Sequence, residues 1–172
     1  KNRNRKVFLS GHSSGANISA LALIKAVKQK VKLADIFISL SGVYDIGKHY
    51  EWEKARGVHL ISPMGGAAIN PTLYPSCSPT IILRDWWSTN DNIKKYDSDH
   101  NGDNDDFAKI FPTETFILHG TEDTTVPCTS SRDFAVELMK YGVKVHEVYP
   151  ITNHVHPVLE LLQSSNDPGP CS

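Results

Sequence analysis

The fold is decided by the stretch Val7-Phe8-Leu9-Ser10-Gly11-His12-Ser13-Ser14-Gly15-Ala16-Asn17-Ile18-Ser19-Ala20-Leu21-Ala22-Leu23-Ile24. A short apolar run ends in Gly-x-Ser-x-Gly centred on Ser13, and helix-forming residues follow at once. This order predicts a strand, a tight turn and a helix, the local structure that holds a serine exposed above a sheet. We expect Gly11 and Gly15 to be required because so tight a turn leaves no room for a Cβ atom. The backbone N–H of Ser14, at the positive end of the helix, is the candidate donor to a negatively charged oxygen.

The size and composition of the chain indicate one globular domain. With 172 residues and 40% hydrophobic content, residues 1–172 can bury a single sizeable core. Eighteen Lys plus Arg against nineteen Asp plus Glu give a formal charge of -1, which predicts no nucleic-acid partner. No run approaches the roughly 18 apolar residues that a membrane span needs, and no signal peptide is recognisable. Cys77, Cys128 and Cys171 are too few for a disulfide framework, although one disulfide remains an alternative.

Hydrophobic patterning predicts an α/β fold with a mainly parallel sheet and flanking helices. The helix after Ser13 is apolar on nearly every side, which indicates burial between layers, and the strand that follows it reads as covered on both faces. Strand, crossover helix and strand together form a βαβ unit. The predicted helices cover residues 14–30, 46–56, 129–141 and 157–163, and the predicted strands cover residues 33–40, 115–120 and 143–149.

Two segments depart from this pattern. Residues 57–79 are rich in Pro and Gly and are predicted to form an irregular, cap-like segment over the site. Residues 84–112 are predicted to be an acidic surface insertion. Part of this insertion resembles a calcium loop, but Ala108 stands where a bidentate Glu would close the cage, so a solvated loop is favoured and no metal site is predicted. The oxygen ligands of that alternative would be Asp97, Asp99, Asn101 and Asp105, with Gly102 at the turn.

A serine hydroxyl needs a base and an orienting acid to act as a nucleophile, and in this architecture the order is Ser, acid, His. The acid candidate is Asp123, at the apex of a loop just past a strand, with Glu122 as the nearest rival. Of the histidines after it, His154 and His156 both follow the last strand. We favour His154 because it comes sooner after the strand.

The other histidines near these positions have simpler interpretations. His146 lies inside a predicted strand, His12 is expected to be a packing residue and His119 a strand-end residue. The predicted chemistry is hydrolysis through an acyl-enzyme, for which no metal or organic cofactor is needed. Trp86, Trp87 and Met64 are candidates to line a greasy pocket, although ordinary packing explains them equally well.

From Leu9 to about Leu162 the chain resembles the α/β-hydrolase superfamily and, within it, the isoprenylcysteine methylesterase-like group. The group-specific parts are the Met-Gly-Gly segment and the Pro-Cys after the acid loop. The remaining parts are also similar to kynurenine formamidase-like and feruloyl esterase-like enzymes. The segments that carry the resemblance are Gly11-His12-Ser13-Ser14-Gly15-Ala16, Leu40-Ser41-Gly42-Val43-Tyr44-Asp45, Arg56-Gly57-Val58, Ser62-Pro63-Met64-Gly65-Gly66, His119-Gly120-Thr121-Glu122-Asp123 and Val126-Pro127-Cys128.

The resemblance implies roles for three side chains: Ser13 matches the nucleophile, Asp123 the acid and His154 the base. It also implies a small-molecule or prenylated-cysteine methyl ester substrate and association with endoplasmic reticulum or Golgi membranes. The superfamily's upstream His-Gly-Gly oxyanion segment is absent, and the first strand already leads into Ser13. We therefore expect a C-terminal portion of a longer hydrolase domain. A formamidase-like amidase and a non-catalytic remnant of a hydrolase are the alternatives.

Overall fold

The computed structural model describes residues 5–62, 70–96 and 107–164. Its four strands are β1 (Phe8–His12), β2 (Ile36–Leu40), β3 (Glu114–Leu118) and β4 (Lys144–Val148). Its main helices are α1 (Ser14–Lys28), α2 (Ile46–Ala55), α3 (Pro79–Tyr96), α4 (Thr129–Lys140) and α5 (His156–Ser164). The strands and helices predicted from the sequence therefore occur in the expected order.

The strands form one parallel sheet in the order β1-β2-β3-β4. The register is simple, since His12, Leu40, Leu118 and Val148 lie side by side at the ends of the four strands. Because all four carboxyl ends lie on one edge, the loops that follow the strands converge there. This sheet confirms the predicted fold class.

The main core lies on one face of the sheet. Helices α1, α3 and α4 pack over Phe37 and Ile117, both of which are fully buried. On the opposite face, Phe116 is 37% exposed and Val148 is 52% exposed. On β2 itself, Ile36 and Ile38 lie on this open face and are half-buried, whereas Phe37 and Ser39 on the other face are buried. The strand within residues 33–40 was predicted to be covered on both faces, and among the described residues it is fully covered on one. Ile18 on α1 is 66% exposed for a similar reason, because no described layer covers the outer side of that helix.

Helix α3 replaces much of the predicted surface insertion. Residues 84–96 are helical, where a loop was predicted, because this polar-looking helix turns its aromatic side towards the core. The rings of Trp86 and Trp87 contact Tyr141 at the end of α4. Residues 107–110 are helical again, and Phe107 is fully buried in the core. Residues 97–106, which hold the candidate calcium ligands, lie outside the described residues.

The predicted irregular segment, residues 57–79, contains short regular turns. Two 3-10 turns cover Pro71–Leu73 and Pro75–Cys77, and α3 begins directly after them. The Asn70 side chain starts the first turn by accepting a hydrogen bond from the Thr72 amide at 3.0 Å. Residues 63–69, which include the Met-Gly-Gly segment, lie outside the described residues.

Three further properties concern only the part of the chain that the structure describes. No helix there combines the length and the apolar character that crossing a membrane requires. No group of three or more His, Cys, Asp or Glu side chains is placed to hold a metal ion. Cys77 and Cys128 both carry free thiols, and Cys171 lies outside the described residues.

Candidate active site

The turn between β1 and α1 places Ser13 in a backbone conformation that non-glycine residues seldom adopt, with φ 55° and ψ −122°. Its amide donates to the Leu40 carbonyl at 2.9 Å, so the turn is attached to the end of β2. A Cβ atom on Gly11 would lie 2.5 Å from the carbonyl carbon of Gly15 and 2.6 Å from the amide nitrogen of Ala16. The predicted crowding is therefore present at Gly11.

Gly15 does not show that crowding. A Cβ atom at this position would meet no atom of the described residues within 4 Å, and Gly15 is not among the described positive-φ residues. The prediction that Gly15 is required by sterics within the turn is therefore wrong for the described residues, because the space around its Cα is open.

The start of α1 leaves backbone amides free to bind an anion. The amides of Ala16 and Asn17 donate to the Ser13 carbonyl, at 3.1 and 3.3 Å. The amides of Ser14 and Gly15 have no backbone acceptor among the described residues. Both are at the positive end of the helix, next to the Ser13 side chain, which is where an oxyanion donor must lie.

Asp123 lies in the loop after β3, and both oxygens of its carboxylate have polar partners. Oδ1 accepts from the amides of Thr125 and Val126, at 2.9 and 2.8 Å. Oδ2 lies 2.6 Å from Nδ1 of His154 and 3.1 Å from Nε2 of His119. Burial alone would raise the pKa of Asp123, but the hydrogen bonds from the two imidazoles and from the Val126 amide outweigh it. They hold the pKa of this carboxyl well below its usual range, so Asp123 is a carboxylate at neutral pH.

His154 is the histidine that the structure brings to Asp123. Because the carboxylate is an acceptor, Nδ1 of His154 carries the ring hydrogen, which leaves Nε2 able to accept a proton. His156 lies outside this contact, since its Nε2 pairs with Glu160 at 3.0 Å on the surface. Glu122, by contrast, is exposed. Of the residues weighed from the sequence, Asp123 and His154 are therefore the acid and histidine in contact.

The loop that carries His154 has to cross the edge of the sheet. Adjacent strands lie about 4.8 Å apart, so the ends of β1 and β4 are separated by roughly 14 Å. The loop crosses directly over Gly120, where a Cβ atom would lie 2.7 Å from the Thr152 carbonyl carbon and 2.9 Å from the Asn153 oxygen. The amides of Thr121 and Glu122 donate to carbonyls of this loop, at 2.8 and 3.1 Å. Glycine at 120 is thus what lets the loop return towards Ser13.

His12 connects the returning loop to the serine turn. Its Nε2 donates to the backbone carbonyl of His154 at 2.9 Å, and the two rings are 4.7 Å apart. The sequence predicted only a packing role for His12, because a contact across 142 positions leaves no local signal. The Ser13 hydroxyl forms no hydrogen bond with another described residue. Such contacts are often long or unaligned before substrate binds.

Helix α2 contacts the loop that carries Asp123, which we call the acid loop. The Trp52 indole donates to the Thr124 carbonyl at 3.4 Å, and Arg56 donates to the same oxygen. Deeper in the helix, His49 and Glu53 form a buried pair at 3.2 Å. Burial lowers the pKa of His49, although the Glu53 carboxylate opposes this shift, and His154 and Asp123 are near enough to act on it electrostatically. No local sequence pattern predicted this buried pair.

Trp86 and Trp87, the tryptophans that were candidates to line a pocket, lie far from Ser13. An open groove of about 750 Å³ has Trp86 in its wall together with Val27 and Lys30, at the end of α1 opposite Ser13. A helix of 15 residues is roughly 22 Å long, so this groove is far from the serine. Trp87 packs edge-on against Tyr141, at 5.2 Å. Core packing therefore accounts for Trp87, whereas Trp86 packs against the core and also lines this groove.

Several solved structures share this arrangement of strands and helices. Acylaminoacyl peptidase from Pyrococcus horikoshii matches 89% of the chain with a TM-score of 0.58 at 17% identity. Carboxyl esterase 2 from the mycorrhizal fungus Tuber melanosporum matches 94%, with a TM-score of 0.59 at 19% identity. A hormone-sensitive lipase from a metagenome library matches 92%, with a TM-score of 0.59 at 16% identity. The chain has part of the α/β-hydrolase fold.

The likeness to α/β-hydrolase structures is confined to part of those proteins. The chain spans 20% of the peptidase, 48% of the fungal esterase and 48% of the lipase. No protein-family model and no curated protein sequence matches it. At identities below 20% the likeness establishes the α/β-hydrolase fold, and the narrower resemblance to isoprenylcysteine methylesterases stays a prediction.

Proposed function

We propose that this chain carries the nucleophile, acid and base of a serine carboxylesterase. Ser13 is the proposed nucleophile, His154 the base and Asp123 the group that orients and charge-stabilises the base. The observation that carries the proposal is the 2.6 Å contact between Asp123 and Nδ1 of His154, on a loop that His12 ties to the serine turn. The structural neighbours include an esterase, a lipase and a peptidase, which supports hydrolysis as the reaction class.

The proposed reaction has two halves. In the first, the Ser13 oxygen bonds to the ester carbonyl carbon while its proton passes to Nε2 of His154. The free amides of Ser14 and Gly15 stabilise the negative oxygen, and the alcohol leaves with the proton that His154 returns. In the second half, His154 takes a proton from water while the water oxygen attacks the acyl carbon. His154 then returns that proton to the Ser13 oxygen as the bond to the acyl group breaks and the acid leaves.

The backbone strain at Ser13 is consistent with this role. A non-glycine residue with positive φ costs on the order of 1–3 kcal/mol and persists only where the surrounding structure enforces it. Here the turn is enforced by the absence of a Cβ atom at Gly11 and by the bond to the Leu40 carbonyl. The result is a hydroxyl held beside free helix amides, which a simple surface turn would not need.

The decisive experiment compares Ser13→Ala with Ser10→Ala. Ser10 is an exposed serine three residues earlier on β1, so it is a matched control. We expect the unaltered chain and Ser10→Ala to react with a fluorophosphonate probe and to hydrolyse p-nitrophenyl acetate. Ser13→Ala should lose labelling and at least about 10⁴-fold in rate. Full activity in Ser13→Ala would refute the proposal.

The substrate class is tested separately. The proposed substrate, by resemblance, is a prenylcysteine methyl ester, and the second candidate is a formamidase-type amide. S-farnesylcysteine methyl ester and formylkynurenine should be compared by their kcat/KM values, with association with vesicles of endoplasmic reticulum lipids as a further readout. A chain that Ser13 probes do not label, although it folds, would support the alternative of a non-catalytic remnant.

A further inference from the structure

His119 is a fully buried imidazole that the proposed reaction does not use. Its Nε2 lies 2.9 Å from the Val126 carbonyl oxygen and 3.1 Å from Oδ2 of Asp123. Both neighbours are acceptors, so Nε2 carries the ring hydrogen and donates it to Val126, with the carboxylate beside it. On the other side of the ring, the Ser131 hydroxyl lies 2.7 Å from Nδ1. The ring is thus fixed from both ends.

The bonds around His119 close the acid loop on itself. Val126 donates its amide to Oδ1 of Asp123 and accepts from His119 through its carbonyl. Ser131 belongs to α4, so the imidazole also attaches this turn to the helix that follows it. A shift of His119 would therefore move the carboxylate as well as the turn.

Oδ2 of Asp123 is shared between two imidazoles. His154 approaches it to 2.6 Å and His119 to 3.1 Å. An N–H beside a carboxylate oxygen offsets part of the oxygen's negative charge. The N–H of His119 therefore weakens the attraction between the Asp123 carboxylate and the His154 ring. His119 is placed to influence His154 through the oxygen they share, without contacting substrate.

We propose that His119 is a positioning residue of the Asp123–His154 pair: it holds the acid loop through Val126 and moderates, at Oδ2, how strongly Asp123 attracts the charged form of His154. This inference rests on the proposed function. Among the described residues, the titratable groups that face His154 are Asp123 from the loop after β3, His12 from the end of β1 and His49 from α2, with Glu53 behind His49.

The test compares His119→Leu, which removes the N–H, with His119→Gln, which keeps an N–H donor on a side chain of similar reach. With the donor gone, Asp123 should stabilise the imidazolium of His154 more. The acid limb of the pH profile of kcat/KM should then move up by roughly 0.5–1 pH unit, with about a tenfold loss of rate at the optimum. His119→Gln should show less than half of that shift. His146→Gln is the control, because His146 stacks on Phe116 on the open face of the sheet. The acid limb of the pH profile of this variant should not move.

A second readout does not depend on catalysis. In a Ser13→Ala background, the pH titration of the His154 ring resonances should show the same upward shift for His119→Leu, whether or not the chain hydrolyses esters. If Ser13→Ala keeps full activity, the proposed function fails, while this titration still decides the role of His119. If circular dichroism shows that His119→Leu does not fold, Ser131→Ala replaces it, with a smaller shift in the same direction expected. A titration midpoint equal to that of the unaltered chain in the folded variant would overturn the inference.

Discussion

The two glycines of the Gly-x-Ser-x-Gly motif should respond in opposite ways to the same substitution. In Gly11→Ala the new Cβ would lie 2.5 Å from the carbonyl carbon of Gly15, whereas ordinary carbon contacts are 3.5–4.0 Å. The neighbour is backbone at the start of α1, so the helix must withdraw by roughly 1 Å. Overpacking of this kind costs about 1–3 kcal/mol of folding free energy. For a chain of this length, each kcal/mol lowers the melting temperature by about 2–4 °C.

In Gly15→Ala the new Cβ meets no atom within 4 Å in the part of the chain that the structure describes. Alanine is the better helix former, by up to about 1 kcal/mol, so this variant should be as stable as the unaltered chain or slightly more stable. Urea unfolding of both variants, monitored by circular dichroism, gives the two free energies directly. Equal destabilisation by the two substitutions would refute the assignment of crowding to Gly11 alone. Because a misplacement of about 1 Å can cost about 100-fold in rate, Gly11→Ala should also lose the proposed esterase activity.

Two further predictions concern the acid and base loops. In Gly120→Ala the new side chain would push away the Thr152 carbonyl. We therefore expect a loss of about 1–3 kcal/mol in unfolding free energy and a loss of roughly 100-fold in kcat/KM for the proposed reaction. A rate within twofold of that of the unaltered chain would contradict the crossing of this loop over Gly120. The Asp123 carboxyl has a folded-state pKa below its unfolded value, so its stabilising contribution is complete above the unfolded pKa and is lost as the pH falls through the folded pKa. The difference in unfolding free energy between the unaltered chain and Asp123→Asn should therefore narrow as the pH falls below about 5, and a constant difference would show that the carboxylate is not held as described.

The sequence predicted those helices and strands whose hydrophobic pattern lies within one short stretch of the chain. The helix after Ser13 was predicted to end at Lys30 and ends at Lys28, and the last helix was predicted from Pro157 and begins at His156. Parallel strands were predictable because a crossover helix separates each continuous apolar run from the next. The order of the acid and the histidine after the serine was predictable for the same reason, since each follows a strand end.

The features that the sequence did not predict depend on contacts between residues far apart in the chain. The polar run beginning at Arg84 looks like a loop by composition, and it is a helix because Trp86 and Trp87 find ring partners on other elements. Gly15 looks equivalent to Gly11 in the motif, but the backbone around it is open. The four-residue spacing of His119 and Asp123 was a usable signal, since both lie in one short turn, yet nothing local indicates that they share a contact with His154.

The geometry of the sheet explains why a long loop is needed to bring His154 from β4 towards the end of β1. Ser13 follows β1 and His154 follows β4, on the two outer strands of the sheet, so the strand order alone keeps them roughly 14 Å apart. Residues 149–154 can span about 20 Å when extended, so the loop is long enough to cross back. Its path is fixed at Gly120 by close backbone contact and at His12 by a hydrogen bond, and between these points its histidine meets Asp123. The contact between Asp123 and His154 thus depends on the absence of a side chain at Gly120 as well as on the two contacting groups.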